Sequence, residues 1–423
     1  MILTLGGFDE KINFKELNRV FSIMFYYLRY ILVICIERKS NINNMKTAKR
    51  YWIHLFPICL IFVINCCPNK DHELGKYVTA GSPIPDSVMD SVMEMYKVPG
   101  VSIAVIHDGQ IDWVKGYGVR EYGKSDLVNT NTLFQAASIS KPVSAVVALR
   151  MIAEGQLTLD ENVNLKLQSW KIPENAFTKK QPITLRRLLS HSAGLSMHGV
   201  PEFDADDELP SLIQILDGEW SASAEPVRPI IEPGTVCRYS GGGYIVLQLL
   251  MTDIANRPFT ELAHELVLQP AGMLSSTFEQ PLPPQYWQQA ATGHLSDRTP
   301  LKGHWHTLPE QATGGLWTTP KDLASFMIEL WRSYQGLSNT LLPRHLAREM
   351  LTRQIDDFGL GLSLPSVGVF RFQHSGGNAG YRCFMVLSVD VPEGAVIMTN
   401  GDGGEQLIWK VFELIAHSYG WQT

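Results

Sequence analysis

Cysteine is nearly absent from most of this chain. Of the six cysteines in 423 residues, Cys35, Cys59, Cys66 and Cys67 lie before residue 68, and only Cys237 and Cys383 follow. No Cys-x-x-Cys pair occurs, which argues against a disulfide scaffold or a thiolate zinc site. His304-Trp305-His306 brings two imidazoles together without a third ligand, so no metal and no cofactor is expected. An excess of positive charge is also missing. The formal net charge is -6, and a nucleic-acid partner would require a clustered basic face. Neither of the two apolar runs near the N-terminus reaches the roughly 20 residues that span a bilayer comfortably.

What is present is core material: 45% hydrophobic residues with 10 Trp, 14 Tyr and 17 Phe, against 18% charged. That composition excludes disorder and suits a large folded domain. From about Val78 onward there is no long linker, repeat or low-complexity tract.

The N-terminal region reads as an address. One apolar stretch runs from Phe21 to Ile36, interrupted by Arg29; a second runs from Tyr51 to Ile64 and ends at Asn65-Cys66-Cys67. Met45, Lys46, Lys49 and Arg50 precede the second, giving the positive and then apolar order of a signal peptide. Residues 45–67 are therefore expected to direct export to a periplasmic or membrane-anchored location. Cys66 or Cys67 resembles the acylated cysteine of bacterial lipoproteins, although Asn65 replaces the usual small residue. An uncleaved anchor helix is the alternative. Residues 1–44 are expected to be an extension of the reading frame or a second membrane segment, and residues 75–423 to form the folded domain.

Val101–Ile106 and Ile111–Val114 flank His107-Asp108-Gly109-Gln110, a hairpin signal. Helical spacing follows, with Val143, Val146, Val147 and Met151 on a common face. Helical stretches at Leu185–Ser190, Ile245–Ile254 and Leu323–Trp331 occupy the middle of the chain. Strands at Phe370–Gln373, Arg382–Val389 and Ala395–Thr399 and a helix near Gln406–Ser418 close it. This order predicts an α+β fold in which an antiparallel sheet is built from both ends of the chain. Helices flank the sheet, a helical subdomain is inserted, and the site lies in the cleft.

Three short motifs carry chemistry. In Ser138-Ile139-Ser140-Lys141, a helix starting near Ser138 puts hydroxyl and amine on one face, where the amine can activate a poor nucleophile. Pro142 fits a first helical turn. Alone, this pattern is expected by chance about once in such a chain and also describes a capped helix with an exposed lysine. Tyr239-Ser240-Gly241 offers a phenol that can shuttle a proton if a nearby cation keeps it reactive; otherwise it is a tyrosine packed at a helix start. His374-Ser375-Gly376-Gly377-Asn378 reads as a strand edge whose N–H groups can face an oxyanion, or simply as a turn into the next strand.

In this order, with Leu189-Ser190-His191-Ser192-Ala193-Gly194-Leu195 between the first two, the motifs resemble the serine β-lactamase-related family. That family includes class C β-lactamases, D-alanyl-D-alanine carboxypeptidases, D-aminopeptidases and esterases. The resemblance runs from about residue 85 to 423 and includes Gly314–Phe326 and Met398–Gly404. It implies a β-lactamase/transpeptidase-like fold, with Ser138 as acylated nucleophile, Lys141 as its partner and Tyr239 as proton-transfer phenol. It also implies an oxyanion hole from the backbone N–H groups of Ser138 and Gly377, and a substrate-binding strand at His374, Ser375 and Gly376. Two positions depart from the pattern: Gly241 stands where an asparagine is usual, and His374 where β-lactamases carry lysine. Both favour esters, amides or D-amino-acid peptides over penicillins as the small-molecule or peptide substrate. A class C-like β-lactamase or carboxypeptidase, and a non-catalytic binding protein, remain as alternatives. An ordinary imidazole at His374 would gain a proton toward pH 6 and then hold a carboxylate better.

Overall fold

A computed structural model describes residues 78–421. The proposed signal at 45–67, with Cys66 and Cys67, and the extension at 1–44 lie outside the described residues.

The described chain opens with α1 (Asp86–Tyr96) and the strands β1 (Gly100–His107) and β2 (Gln110–Gly118). Asp108 and Gly109 join the strands with φ of 49° and 71°, the two left-handed residues of a tight hairpin turn. Next come β3 (Phe134–Gln135) and α2 (Ser140–Ala153). The middle contains α3 (Leu185–Leu189), α4 (Leu212–Asp217), α5 (Gly241–Ala255), α6 (Phe259–Ala263) and α7 (Gln311–Gly314). After β4 (Trp317–Thr318), α8 (Pro320–Gln335) and α9 (Arg344–Met350), the chain returns to strands. These are β5 (Arg371–Asn378), β6 (Tyr381–Ser388) and β7 (Gly394–Thr399), followed by α10 (Gly404–Tyr419).

The main sheet is antiparallel in the order β2-β1-β7-β6-β5, so the two ends of the domain meet at the β1–β7 pair. Alternate residues serve opposite faces. Val101, Ile103, Val105 and Ile397 pack with Val88, Val92, Leu407 and Val411 of α1 and α10. Ala104, Ile106, Met385 and Met398 face the other way, into the larger core that includes α2, α5 and α8. The expected fold class is the one observed.

Two local elements go beyond the sequence pattern. α1 is an additional helix before the first strand. α2 does not present one apolar face: nearly every side of it is buried, Lys141 and Ser144 included, so it is a core helix and not a surface one.

Candidate active site

Ser138 is not in an α-helix. It sits in a 3₁₀ turn, Ala137–Ile139, that feeds directly into α2. Residues three apart share one side of a helical turn, so the start of α2 brings Lys141 over Ser138. Lys141 Nζ lies 2.9 Å from Ser138 Oγ and donates to the Thr313 carbonyl at 2.8 Å. Thr313 belongs to α7, which is fastened to its neighbours. Ser144 Oγ donates to the Ala312 carbonyl, Leu316 N–H donates to Ser140 Oγ, and Ala312 N–H donates to Gln248 Oε1. Lys141 is 2% exposed, and burial pushes its pKa down to about 7. A lysine without a carboxylate beside it loses its proton more easily when water is excluded.

Tyr239 lies over this pair, with Lys141 Nζ 5.1 Å from the centre of its ring. Ser240 fixes the end of the segment: its Oγ caps α5 at Gly243 N–H and donates to the Ser196 and Met197 carbonyls. Lys141 is thus the neighbouring cationic group on which a phenol shuttle depends, but it does not lower the phenol's pKa. Burial raises the Tyr239 pKa well above its usual value and outweighs the opposing hydrogen bond with Ser138. Tyr239 therefore keeps its proton until a reaction removes it. Tyr244, also close to Lys141, uses its hydroxyl to donate to the Leu189 carbonyl.

The third motif is longer than a turn. All of His374–Asn378 lies in β5, the edge strand, paired with Met385 through Tyr381 of β6. In an antiparallel ladder, alternate residues bond inward to the partner strand. Gln373 instead exchanges both of its backbone bonds outward with Ser363, at 3.0 Å each. By the same parity the N–H groups of Ser375 and Gly377 point from the free edge. Gly377 N–H is thus directed out of the β5–β6 ladder.

His374 departs from the simple expectation. It is 6% exposed, and its Nδ1 donates to the Ser375 carbonyl at 2.7 Å, which leaves Nε2 as a buried lone pair without a hydrogen-bond partner. Burial, helped by Lys141, pushes its pKa down to about 4. The imidazole therefore stays neutral at pH 6, and the expected tightening toward carboxylates in that range is withdrawn. Arg382 is engaged as well, 3.0 Å from Asp402 and donating to the Asn378 and Tyr381 carbonyls. Cys237 and Cys383 are both free thiols, and Cys383 Sγ contacts the Ala136 carbonyl at 3.0 Å.

The structure thus brings Ser138, Lys141, Tyr239, His374 and the β5 edge into one cluster. His191 and Thr313 join it without having been assigned roles from the sequence. His191 lies within the Leu189–Leu195 segment, and only its neighbours in space identify it. The Thr313 contact is made by a backbone carbonyl, for which side-chain identity gives no signal.

Residues 85–416 match the family model described as Beta-lactamase. Protein flp of Staphylococcus aureus (strain MW2) is 23% identical over 198 residues, covering 46% of this chain and 38% of that protein. The chain therefore matches well under half the length of this relative. Two solved structures share the fold. The octameric penicillin-binding protein homologue from Pyrococcus abyssi aligns with a TM-score of 0.64 at 22% identity, covering 79% of this chain and 77% of that one. EstCE1, a hydrolase with promiscuous acyltransferase activity, aligns with a TM-score of 0.64 at 20% identity, covering 82% and 99%.

Proposed function

The chain belongs to the Beta-lactamase family of serine hydrolases, and from that membership we propose that it hydrolyses acyl compounds through an acyl-enzyme on Ser138. The observation that carries the reading is the 2.9 Å approach of a buried, readily deprotonated Lys141 to the Ser138 hydroxyl. In its neutral form Lys141 takes the Oγ proton as Oγ attacks the carbonyl carbon. The N–H groups of Ser138 and Gly377 receive the oxyanion. Tyr239 donates its proton to the leaving group as the tetrahedral intermediate collapses, and is reprotonated from Lys141. Water then cleaves the ester.

Small neutral esters, amides and D-amino-acid peptides are the substrates this reading favours. His374 supplies no positive charge near neutral pH, and Arg382 is already paired with Asp402. Penicillins and free peptide C-termini each carry a carboxylate that would need such a charge. We further propose export, with residues 45–67 as the signal and Cys66 or Cys67 as lipid site; radiolabelled palmitate should enter the whole chain and be lost on Cys66→Ala/Cys67→Ala.

A fluorophosphonate probe and a turnover panel of p-nitrophenyl esters, D-amino-acid amides and nitrocefin test the enzymatic reading. Labelling and ester or amide turnover that vanish in Ser138→Ala are the expected result. A chain that is folded, unlabelled and inactive throughout would make it a binding protein that retains the fold.

A further inference from the structure

His191 touches three consecutive residues of the Tyr239 segment in three different ways. Its carbonyl accepts the Arg238 N–H at 2.8 Å. Its ring stacks on Tyr239, with centroids 4.1 Å apart and planes 28° from parallel. Its Nδ1 accepts the Ser240 N–H at 3.1 Å. The backbone at His191 is left-handed, with φ of 55°, a conformation that histidine and asparagine enter more readily than most residues. The residue is 2% exposed, and Phe358 meets the ring edge-on at 4.9 Å.

These contacts fix the chemistry of the ring. A backbone N–H can only donate, so Nδ1 is unprotonated and the single ring proton sits on Nε2. Burial and the nearby Lys141 favour that neutral form. Such an imidazole has no free lone pair with which to act as a base. What it can supply is position.

Resting on the acyl-enzyme reading above, we infer that His191 is a positioning residue for Tyr239, gripping the residue before it, its ring and the residue after it. A phenol passes a proton only while its oxygen stays within hydrogen-bond reach of both partners. Tyr239 is held on its other sides by looser ring contacts, to His198 at 5.2 Å and His374 at 6.4 Å. The His191 stack and the Ser240 bond therefore set the plane and depth of the phenol above Lys141.

Three substitutions separate the parts of the grip. His191→Ala removes ring and acceptor. His191→Phe keeps a ring face but leaves the Ser240 N–H without an acceptor. His191→Asn offers an amide oxygen near the Nδ1 position and tolerates the left-handed backbone. Measured on the substrate that the panel identifies, Ala and Phe should lower kcat about 10²-fold, the cost of an ångström-scale misplacement, with KM little changed. Asn should recover most of that loss. In a Tyr239→Phe background, His191→Phe should cost almost nothing further, because it acts through the phenol. Amide exchange of the peptide containing Ser240 gives a readout independent of activity: faster in Ala and Phe, protected in Asn.

Unchanged kcat in His191→Ala beside an inactive Ser138→Ala would overturn the inference alone. So would a full additional loss in the Tyr239→Phe background. Full turnover by Ser138→Ala would instead overturn the acyl-enzyme reading, and the exchange data would then report the grip without any catalytic role.

Discussion

Gly376 passes so close to Ala136 that a Cβ at position 376 would stand 2.3 Å from the Ala136 carbonyl oxygen. It would also meet Cys383 Sγ at 2.6 Å and Ala137 Cβ at 3.2 Å. Strand β5 therefore lies directly on the turn that carries Ser138, and the missing side chain makes that approach possible. Ala137, within the same turn, holds a left-handed φ of 48°, so this turn has little room to yield.

The matched glycine substitutions should diverge. Gly376→Ala should lose activity by about 10²-fold or more as β5 is pushed from Ser138, and stability by about 1–3 kcal/mol from overpacking. At Gly377 the nearest atom to an added Cβ is Arg382 Cδ at 3.4 Å, an ordinary contact. Gly377→Ala should then keep wild-type stability. Equal thermal midpoints for the two variants would contradict the close approach.

Within the proposed catalytic cluster, Ser138→Ala should abolish turnover while the fold persists, shown by unchanged far-UV circular dichroism and loss of probe labelling. Lys141→Ala and Tyr239→Phe should each slow acylation by about 10²–10⁴-fold, the scale of a lost general acid or base. Combined, they should cost little more than the worse of the two. Near-wild-type acylation by Tyr239→Phe would move the proton transfer elsewhere.

The parts of this site that depend on local spacing were legible in the sequence. Ser138 and Lys141 are three residues apart, and any helical turn brings them together; the Asp108-Gly109 turn and the terminal strands carry their own signals. Contacts that join distant segments were not. His374 has an ordinary imidazole, and its depressed pKa comes from burial that no residue beside it announces. His191 meets Tyr239 only because the loops after α3 and before α5 fold together. α2 looked amphipathic because its apolar residues recur at helical spacing, but Lys141 and Ser144 are buried too, satisfied by carbonyls of α7.

Turnover of a neutral ester should rise along a single limb with an apparent pKa near 7, where Lys141 loses its proton. His374, neutral down to about pH 4, should add no limb between pH 5 and 8. The ratio of kcat/KM for anionic over neutral substrates should stay level from pH 7.5 to 5.5, with nitrocefin slow throughout. His374→Lys should raise that ratio. An anionic preference that climbs as pH falls through 6 would show that His374 takes up a proton after all.

Two buried ionisable groups should tilt stability in opposite directions. Glu310 is fully buried, neither of its carboxyl oxygens has a hydrogen-bond partner, and burial raises its pKa to about 8 from 4.5. Between those values the unfolded chain has released a proton that the folded one keeps, so stability falls as pH rises. Glu310→Gln should therefore stabilise by about 1 kcal/mol or more at pH 7.5 and much less at pH 5. Lys141, lowered from 10.5 to about 7, has the reverse sign: the unfolded chain binds the extra proton, and stability climbs from pH 7 to 10.5. Lys141→Met should thus be most stabilising at and below pH 7, with the gain shrinking toward pH 10. Urea midpoints across this range would contradict the assignment if either mutant's advantage were flat.

The pairing of β1 with β7 has a consequence for how the protein is made. Val101 has Thr399 as its partner across the ladder, and Ile106 has Gly394. A nascent chain can form the β1–β2 hairpin early, but the inner edge of β1 has no strand to pair with until β7, Gly394–Thr399, has been synthesised. Contacts this far apart in sequence are slow to close and leave a strand edge uncovered in the interval. A ribosome stalled anywhere short of β7 therefore holds an unfinished sheet, not a smaller folded protein.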